Sequence, residues 1–307
     1  MENLILLNNI GTSFSHLHLR SIGIDPFWAM RELKNLNFSW VRLGCYWSEV
    51  ETKENQFDFE DLERLIVLAT KLGFKIVLTI GMKAPRWPEF YLPKWLEKKI
   101  DITEGYVFDK SNTTVVKRFK EYLLTTAERF KKYKSVKVWQ VENEPLDPSG
   151  PKNCKISPEL LMEEVETIRK VDNSRLFLVT VWGNDLTTRG YYKAAAQIGD
   201  IVGIDIYFRY NGPSDKDEKI KEVIKNMGKP VWITELQAEP WEPGELVTKK
   251  KNPRSCLPKH IIQNYKRVKD FGAESIFFWG FEWWLFRKVN GDDRWWRAVE
   301  RVIKNKI

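Results

Sequence analysis

Two glutamates stand where an apolar, β-branched stretch of the sequence comes to an end. Glu144 follows the stretch V-K-V-W-Q-V, and Glu235 follows the stretch P-V-W-I-T. Each stretch is typical of a buried strand, and proline follows each glutamate closely. A carboxylate at such a place is costly unless it is hydrogen-bonded, paired with a charge or used in a reaction. Two of them are what acid/base cleavage of a glycosidic bond requires, so the sequence predicts an enzyme.

Strands and amphipathic helices alternate along the chain. Asp25-Pro26 and Ser157-Pro158 each combine an N-cap with a first-turn proline, and Glu60–Leu72 carries its apolar residues on one helical face. Eight such strand–helix units without a break in composition predict one α/β domain over residues 1–307, a single (β/α)8 TIM barrel rather than a doubly wound sheet. The predicted strands are Thr12–His16, Trp40–Cys45, Lys75–Ile80, Val136–Val141, Leu176–Val181, Val202–Tyr207, Val231–Glu235 and Ser275–Trp279.

Length and composition agree with a barrel enzyme. The chain has 307 residues, 43% of them hydrophobic, and an α/β barrel typically needs about 250 residues. No stretch approaches the ~20 apolar residues of a membrane span, and the N-terminus lacks the features of a signal peptide. We therefore expect a cytoplasmic protein, with secretion or envelope association left open, and a monomer is slightly favoured.

The net charge of +8 does not indicate a nucleic-acid partner. Lysines are spread through the predicted helices beside glutamates, as in D-E-K-I-K-E-V-I-K, which is typical of a solvated surface. The three cysteines and three histidines lack metal-ligand spacing, so we predict no metal and no cofactor. Cys154 and Cys256 fall in loops on the same predicted face of the barrel, and a bridge between them remains an alternative to reduced thiols.

The places of the two glutamates carry a resemblance. Glu144 falls at the end of strand four and Glu235 at the end of strand seven, as in the clan A glycoside hydrolases. The triplet Asn143-Glu144-Pro145 matches the strand-four motif of that clan, and Thr234-Glu235 is similar to its strand-seven motif. The overall style is closest to the cellulase-like family 5. The resemblance implies a retaining β-glycosidase that cleaves β-linked oligo- or polysaccharide, with Glu235 as nucleophile and Glu144 as acid/base.

Other residues take expected roles from the same resemblance. Arg42 on strand two corresponds to the arginine near the nucleophile, and Tyr207 corresponds to its tyrosine partner. Asn143 would bind the sugar 2-hydroxyl, and Trp279 would form the aromatic floor under the cleaved sugar. From the residues alone, a structural ion-pair role for Arg42 and a packing role for Tyr207 are the alternatives.

Two places depart from the family 5 pattern. That family usually has a histidine after strand three, where this chain reads Gly81-Met82-Lys83. It usually has a second histidine, which lies two residues before the strand-six tyrosine, and this chain has Asp205 at that position. Only His16 and His18 could bring an imidazole to the cleft.

Two further glutamates are second choices for catalysis. Glu142 shares the strand face of Glu144 only if the strand is regular to its end. Glu239 lies beyond strand seven in a turn, and suits substrate binding or loop structure better than nucleophilic attack.

Fourteen tryptophans are many for this length, and sugar rings stack on aromatic faces. We predict that at least two or three line the cleft, although core packing is the alternative for each. Glu282, just past strand eight, and the loop Lys83–Trp87 could bind sugar hydroxyls, or could form a salt-bridged rim. The tryptophans in predicted carboxyl-end loops are Trp47, Trp87, Trp95, Trp182, Trp241, Trp283 and Trp284.

Three alternative functions remain open from the sequence. A transglycosylase would use the same scaffold but pass the glycosyl group to a sugar acceptor. A non-catalytic glycan-binding barrel usually lacks one carboxylate, whereas this chain has both. A metal-dependent barrel hydrolase is disfavoured because paired histidines at strand ends are missing from the sequence.

Overall fold

The structure is a computed structural model that describes residues 9–211, 216–242 and 244–304. Eight parallel strands pair in chain order, and the first pairs with the last to close a barrel. The prediction of a (β/α)8 TIM barrel is therefore confirmed. The strands are β1 (Ile10–Phe14), β2 (Trp40–Tyr46), β3 (Lys75–Gly81), β4 (Val136–Val141), β5 (Leu176–Trp182), β6 (Ile201–Ile206), β7 (Val231–Gln237) and β8 (Ser275–Trp279).

An outer helix follows each strand. Two of them begin as the sequence predicts, because the Asp25 carboxylate accepts from the Trp28 amide at 2.6 Å and the Ser157 hydroxyl accepts from the Leu160 amide at 3.2 Å. The outer helices are α1 (Pro26–Lys34), α2 (Glu60–Lys71), α3 (Thr113–Phe130), α4 (Pro158–Arg169), α5 (Tyr191–Ile198), α6 (Asp217–Lys225), α7 (Pro258–Val268) and α8 (Arg294–Ile303). Shorter helices lie at His16–Ser21, Trp47–Val50, Lys94–Glu97, Gly183–Thr187 and Phe208–Asn211, and a longer one at Phe281–Val289.

The first strand lies two residues earlier than predicted. It covers Ile10–Phe14, whereas the apolar pattern predicted Thr12–His16. Ser15 is the reason, because its side chain accepts from the His18 amide and caps the short helix that begins at His16. A local cap therefore ended the strand before its apolar pattern did.

The two ends of the barrel differ. Near the amino ends of the strands, Trp40, Trp232 and Phe277 pack against one another inside the barrel, with ring centroids 5.3–6.2 Å apart. At the carboxyl end the longer loops follow β3, β4 and β7, and the short parallel pair Val107–Phe108 and Lys155–Ile156 joins the first two of these loops. Access to the interior is therefore from the carboxyl end.

The remaining sequence alternatives concern cysteines and membranes. Cys154 and Cys256 are free thiols in the structure, so the bridge left open by the sequence does not form. Within the described ranges, no helix combines the length and the apolar character needed to span a bilayer.

Candidate active site

A cavity of about 450 Å³ opens at the carboxyl end of the barrel. Both Glu144 and Glu235 line it, and they enter from β4 and β7. A cleft at this end is where barrel enzymes assemble their catalytic groups. The cavity is lined by His18, Arg86, Trp87, Glu89, Asn143, Glu144, Asp147, Pro148, Ser149, Trp182, Arg189, Tyr207, Glu235, Glu239, Trp241, Leu246 and Trp279.

Glu235 is held by a donor on each carboxylate oxygen. Arg42 Nη1 donates to Oε1 at 2.7 Å, and the Tyr207 hydroxyl donates to Oε2 at 2.6 Å. Burial and the adjacent Glu235 charge raise the pKa of Tyr207 well above its usual range, so the phenol remains a donor. Only 4% of Glu235 is exposed, so these two bonds replace most of its hydration.

Arg42 donates hydrogen bonds both to Glu235 and to side chains at the end of β4. Its guanidinium is buried inside the barrel, where Nε donates to Gln140 Oε1 at 2.7 Å and Nη2 donates to Asn143 Oδ1. Because the Asn143 carbonyl oxygen is used in this way, its amide hydrogens are left for another acceptor in the cavity. The structure thus places Arg42, Tyr207 and Asn143 around Glu235.

Glu144 has a different environment. β4 ends at Val141, and Glu144 adopts a left-handed conformation with φ of +44°. Its amide donates to Thr180 Oγ1 at 2.8 Å, and Lys83 Nζ donates to its carbonyl oxygen at 2.6 Å. Burial raises the pKa of the Glu144 carboxyl well above its usual range, and the nearby Asp205 and Glu235 carboxylates raise it further.

Glu142 and Glu144 do not share a strand face. Glu142 also has a positive φ, +62°, and its carboxylate accepts from the amides of Met82 at 2.8 Å and Lys83 at 2.5 Å. A side chain on Gly81 would lie 2.4 Å from the Glu142 carboxyl carbon, so glycine is required there. Glu142 therefore holds the turn after β3 and does not reach the cavity.

A buried ion-pair cluster forms one wall of the cavity. Arg86 donates to both oxygens of Glu239, with one bond of 3.0 Å, and to Glu282. The other Glu282 oxygen accepts from the Ser15 amide, and the Arg86 guanidinium lies 4.2 Å from the centroid of the Trp279 ring. Glu282 is fully buried, so the prediction that it binds sugar hydroxyls is corrected: it holds Arg86 in place.

Four of the predicted tryptophans line the cavity. Trp182 and Trp279 form part of its walls, and Trp87 and Trp241 are half exposed at its mouth. The prediction that Trp47 binds the substrate is corrected. This tryptophan begins a short helix after β2, is fully buried, and stacks on Tyr122 of α3 at 5.3 Å between ring centroids, so it cannot contact a sugar.

Sequence reasoning missed several residues of the cavity. Asp205 was noted only as a departure from a family pattern, although a carboxylate in the apolar run I-V-G-I-D-I is the same signal that identified Glu144. Glu89, Asp147 and Arg189 carried no such signal, because they lie in irregular loops. Of the two histidines near strand one, His18 lines the cavity, and burial lowers its pKa to about 4.

Comparisons with known proteins identify a matching family and a distant relative. Residues 28–239 match the family model described as Cellulase (glycosyl hydrolase family 5). A β-galactosidase, BgaB of Geobacillus sp., is 25% identical over 113 residues, which are 34% of this chain and 16% of that protein.

Solved structures share the fold. A β-galactosidase from the haloarchaeon Halorubrum lacusprofundi superimposes with a TM-score of 0.65 at 14% identity, over 96% of this chain and 57% of that one. A variant of GH5_18 from Bifidobacterium longum, in complex with Manb1-4GlcNAc, gives a TM-score of 0.69 at 15% identity, over 97% of this chain and 78% of that one. The chain thus spans little more than half of the haloarchaeal enzyme and a small part of the curated relative.

Proposed function

The chain belongs to glycosyl hydrolase family 5, and we propose that it is a retaining β-glycoside hydrolase with Glu235 as nucleophile and Glu144 as acid/base. One observation carries the proposal. Two carboxylates line one cavity, and their surroundings favour opposite protonation states. Arg42 and Tyr207 donate to Glu235 and stabilise its carboxylate, whereas burial and neighbouring negative charges keep the proton on Glu144.

The first step forms a glycosyl-enzyme. A Glu235 oxygen attacks the anomeric carbon, the glycosidic carbon–oxygen bond breaks, and the Glu144 proton goes to the departing oxygen. In the second step, Glu144 takes a proton from water, the water oxygen attacks the anomeric carbon, and Glu235 leaves as a carboxylate. Water is the co-reactant of the second step, and the two glutamates return to their starting protonation states at its end.

Asn143 and Trp279 would bind the sugar that reacts. The Asn143 amide can donate to the 2-hydroxyl, an interaction that strengthens as positive charge develops at the anomeric carbon. Trp279 supplies an aromatic surface beside Arg86. Both residues line the cavity together with the two glutamates.

The charges of the cavity favour an uncharged saccharide. Four carboxylates line it in addition to the protonated Glu144 carboxyl, those of Glu89, Asp147, Glu235 and Glu239. Its two arginines are already paired, Arg86 with Glu239 and Arg189 with Asp147. A uronic acid would meet net repulsion there. Neutral β-galactosides, β-mannosides, β-glucosides and β-xylosides are therefore the substrates to test first.

Turnover and trapping test the proposal. A panel of 4-nitrophenyl β-glycosides should reveal hydrolysis, and the matching 2-fluoro sugar should label a peptide that contains Glu235. Glu235→Gln should reduce turnover at least about 10³-fold, since it removes the nucleophile. Glu164→Gln is the matched control, because Glu164 is a buried carboxyl on α4 outside the cavity.

The alternatives give different results. Inversion at the anomeric carbon, or a label on Glu144, would contradict the assigned roles. Sugar transfer to an added acceptor in preference to water would identify a transglycosylase. Glycan binding without turnover, unchanged by Glu235→Gln, would indicate a non-catalytic barrel.

A further inference from the structure

Asp205 is a fully buried carboxylate beside the proposed catalytic pair. It lies on β6, where it pairs in register with Trp182 of β5 and Glu235 of β7. Its Oδ1 accepts from the Thr234 hydroxyl at 2.5 Å. Its Oδ2 is buried and accepts from no donor among the described residues. An acceptor left alone in a buried site costs about 1–3 kcal/mol, so this oxygen requires an explanation.

Glu144 in its protonated form is the candidate for this donor. Its carboxyl group lies within hydrogen-bonding reach of the Asp205 carboxyl. Two carboxylates cannot form this bond, but a carboxylic acid and a carboxylate can, with one proton between them. Burial and the Glu235 charge raise the pKa of Asp205, but the Arg42 charge and the Thr234 hydroxyl oppose this rise, so we take Asp205 as the better anion of the two.

We propose that Asp205 is a positioning residue that accepts a hydrogen bond from the Glu144 carboxyl at Oδ2 and so holds the acid/base in its protonated form. The inference rests on the proposed function, because it assumes that Glu144 is the acid/base. Asp205 does not touch the sugar in this scheme. It acts through Glu144 alone.

The charged groups around Glu144 determine whether its pKa rises or falls. Asp205, Glu235 and Glu89 are carboxylates that oppose a negative charge on Glu144, and Lys83 is the cation that favours one. Tyr207 also faces this group of carboxylates, and its raised pKa keeps it neutral. Attack by Glu235 converts its carboxylate into an ester and removes one of the opposing charges. Glu144 can then release its proton more easily at the moment when the leaving group requires it.

Asp205→Asn tests the proposal, since it keeps the size and the Thr234 contact but removes the charge. The alkaline limb of the pH profile of kcat/KM reports the acid of the free enzyme. We expect this limb to move down by about one pH unit or more in Asp205→Asn, with activity retained at acidic pH. The substrate for these profiles is the 4-nitrophenyl β-glycoside that the wild type cleaves fastest. Glu164→Gln is the control variant and should leave the alkaline limb unchanged.

An even loss of activity at every pH would assign Asp205 a purely structural role and overturn the proposal. A second measurement depends neither on turnover nor on the Asp205→Asn variant. The carboxyl ¹³C signal of Glu144 in the wild type, identified by its loss in Glu144→Gln, should remain that of a protonated acid well above pH 4.5. Titration near that ordinary value would overturn the proposal even in an active enzyme. Absence of all glycoside cleavage would reject the proposed function while the titration still decides this inference.

Discussion

Glu144 and Glu235 are the same residue type, and only their neighbours make them different. Two donors hold Glu235, whereas Glu144 receives no donor on its carboxyl group from the described residues and lies near the Asp205, Glu235 and Glu89 carboxylates. Hydrogen bonds to the charged form favour ionisation, and burial beside like charges opposes it. The division of roles therefore follows from Arg42 on β2, Asp205 on β6 and Tyr207 just after β6.

Tyr207→Phe should reduce kcat about 10- to 100-fold with little change in KM. The variant removes one donor from a charged acceptor, which is worth about 1.5–3 kcal/mol. Glu235, the proposed nucleophile, is then less well oriented and less stable as a carboxylate. Steady-state kinetics on the best aryl glycoside measure the effect. Tyr265→Phe on α7 is the control, since it removes a buried phenol outside the cavity, and an equal loss there would contradict the assignment.

Trp87→Ala should weaken the binding of oligosaccharides without slowing the chemical step. Trp87 is 53% exposed at the cavity mouth, and loss of a stacking surface worth about 1–1.5 kcal/mol should raise KM about five- to tenfold. Trp28→Ala on α1 removes another tryptophan that is 40% exposed but outside the cavity. Equal KM values for the two variants would exclude a binding role for Trp87.

At the scale of elements, close approach between strands places the groups that we propose to be catalytic. Gly203 on β6 stands between Thr180 of β5 and Thr234 of β7, and a side chain there would lie 2.7 Å from atoms of both. These two threonines hold the Glu144 amide and the Asp205 carboxylate. Because Gly203 has no side chain, both threonines can approach closely enough to hold Glu144 and Asp205 in place.

Gly203→Ala should therefore affect both stability and activity. Crowding inside a packed barrel costs about 1–3 kcal/mol, and displacement of either threonine moves Glu144 or Asp205. Urea unfolding and kcat, measured on folded protein, separate the two effects. Gly199→Ala is the matched control, because a side chain on Gly199, which lies between α5 and β6, would also be crowded, at 3.0 Å from Ile201 O. It should lose stability and keep kcat; an unchanged kcat in Gly203→Ala would contradict the prediction.

At the scale of the whole molecule, Arg86 joins three parts of the barrel mouth. It lies after β3, and its partners Glu239 and Glu282 follow β7 and β8. Burial raises the pKa of Glu239, and the Arg86 charge opposes this rise. The wall of the cavity therefore depends on a charge cluster that no single loop could form.

Arg86→Gln should destabilise the protein by about 3–5 kcal/mol, because two buried carboxylates lose their cation. Without Arg86 the pKa of Glu239 rises further, so the folded state binds a proton that the unfolded state releases. Its stability then falls as pH rises above the ordinary carboxyl range. Urea unfolding should show a larger deficit near pH 7.5 than near pH 4.5. Arg297→Gln, which removes an exposed ion pair with Asp293, should cost little at either pH. A deficit independent of pH would contradict this account.

The sequence by itself determined the barrel, the capped starts of α1 and α4, and the placing of Glu144 just after β4 and of Glu235 in the last part of β7. These features follow from periodicity and short motifs, which local sequence encodes. The tertiary structure decided which of Glu142 and Glu144 faces the cavity, where Trp47 is buried, and what Glu282 holds. It also brought Asp205 beside Glu144. It placed Arg42 beside Glu235, although these two residues are 193 positions apart in the sequence. Such contacts depend on how strand ends meet around a closed ring, and no local pattern in the chain records that geometry.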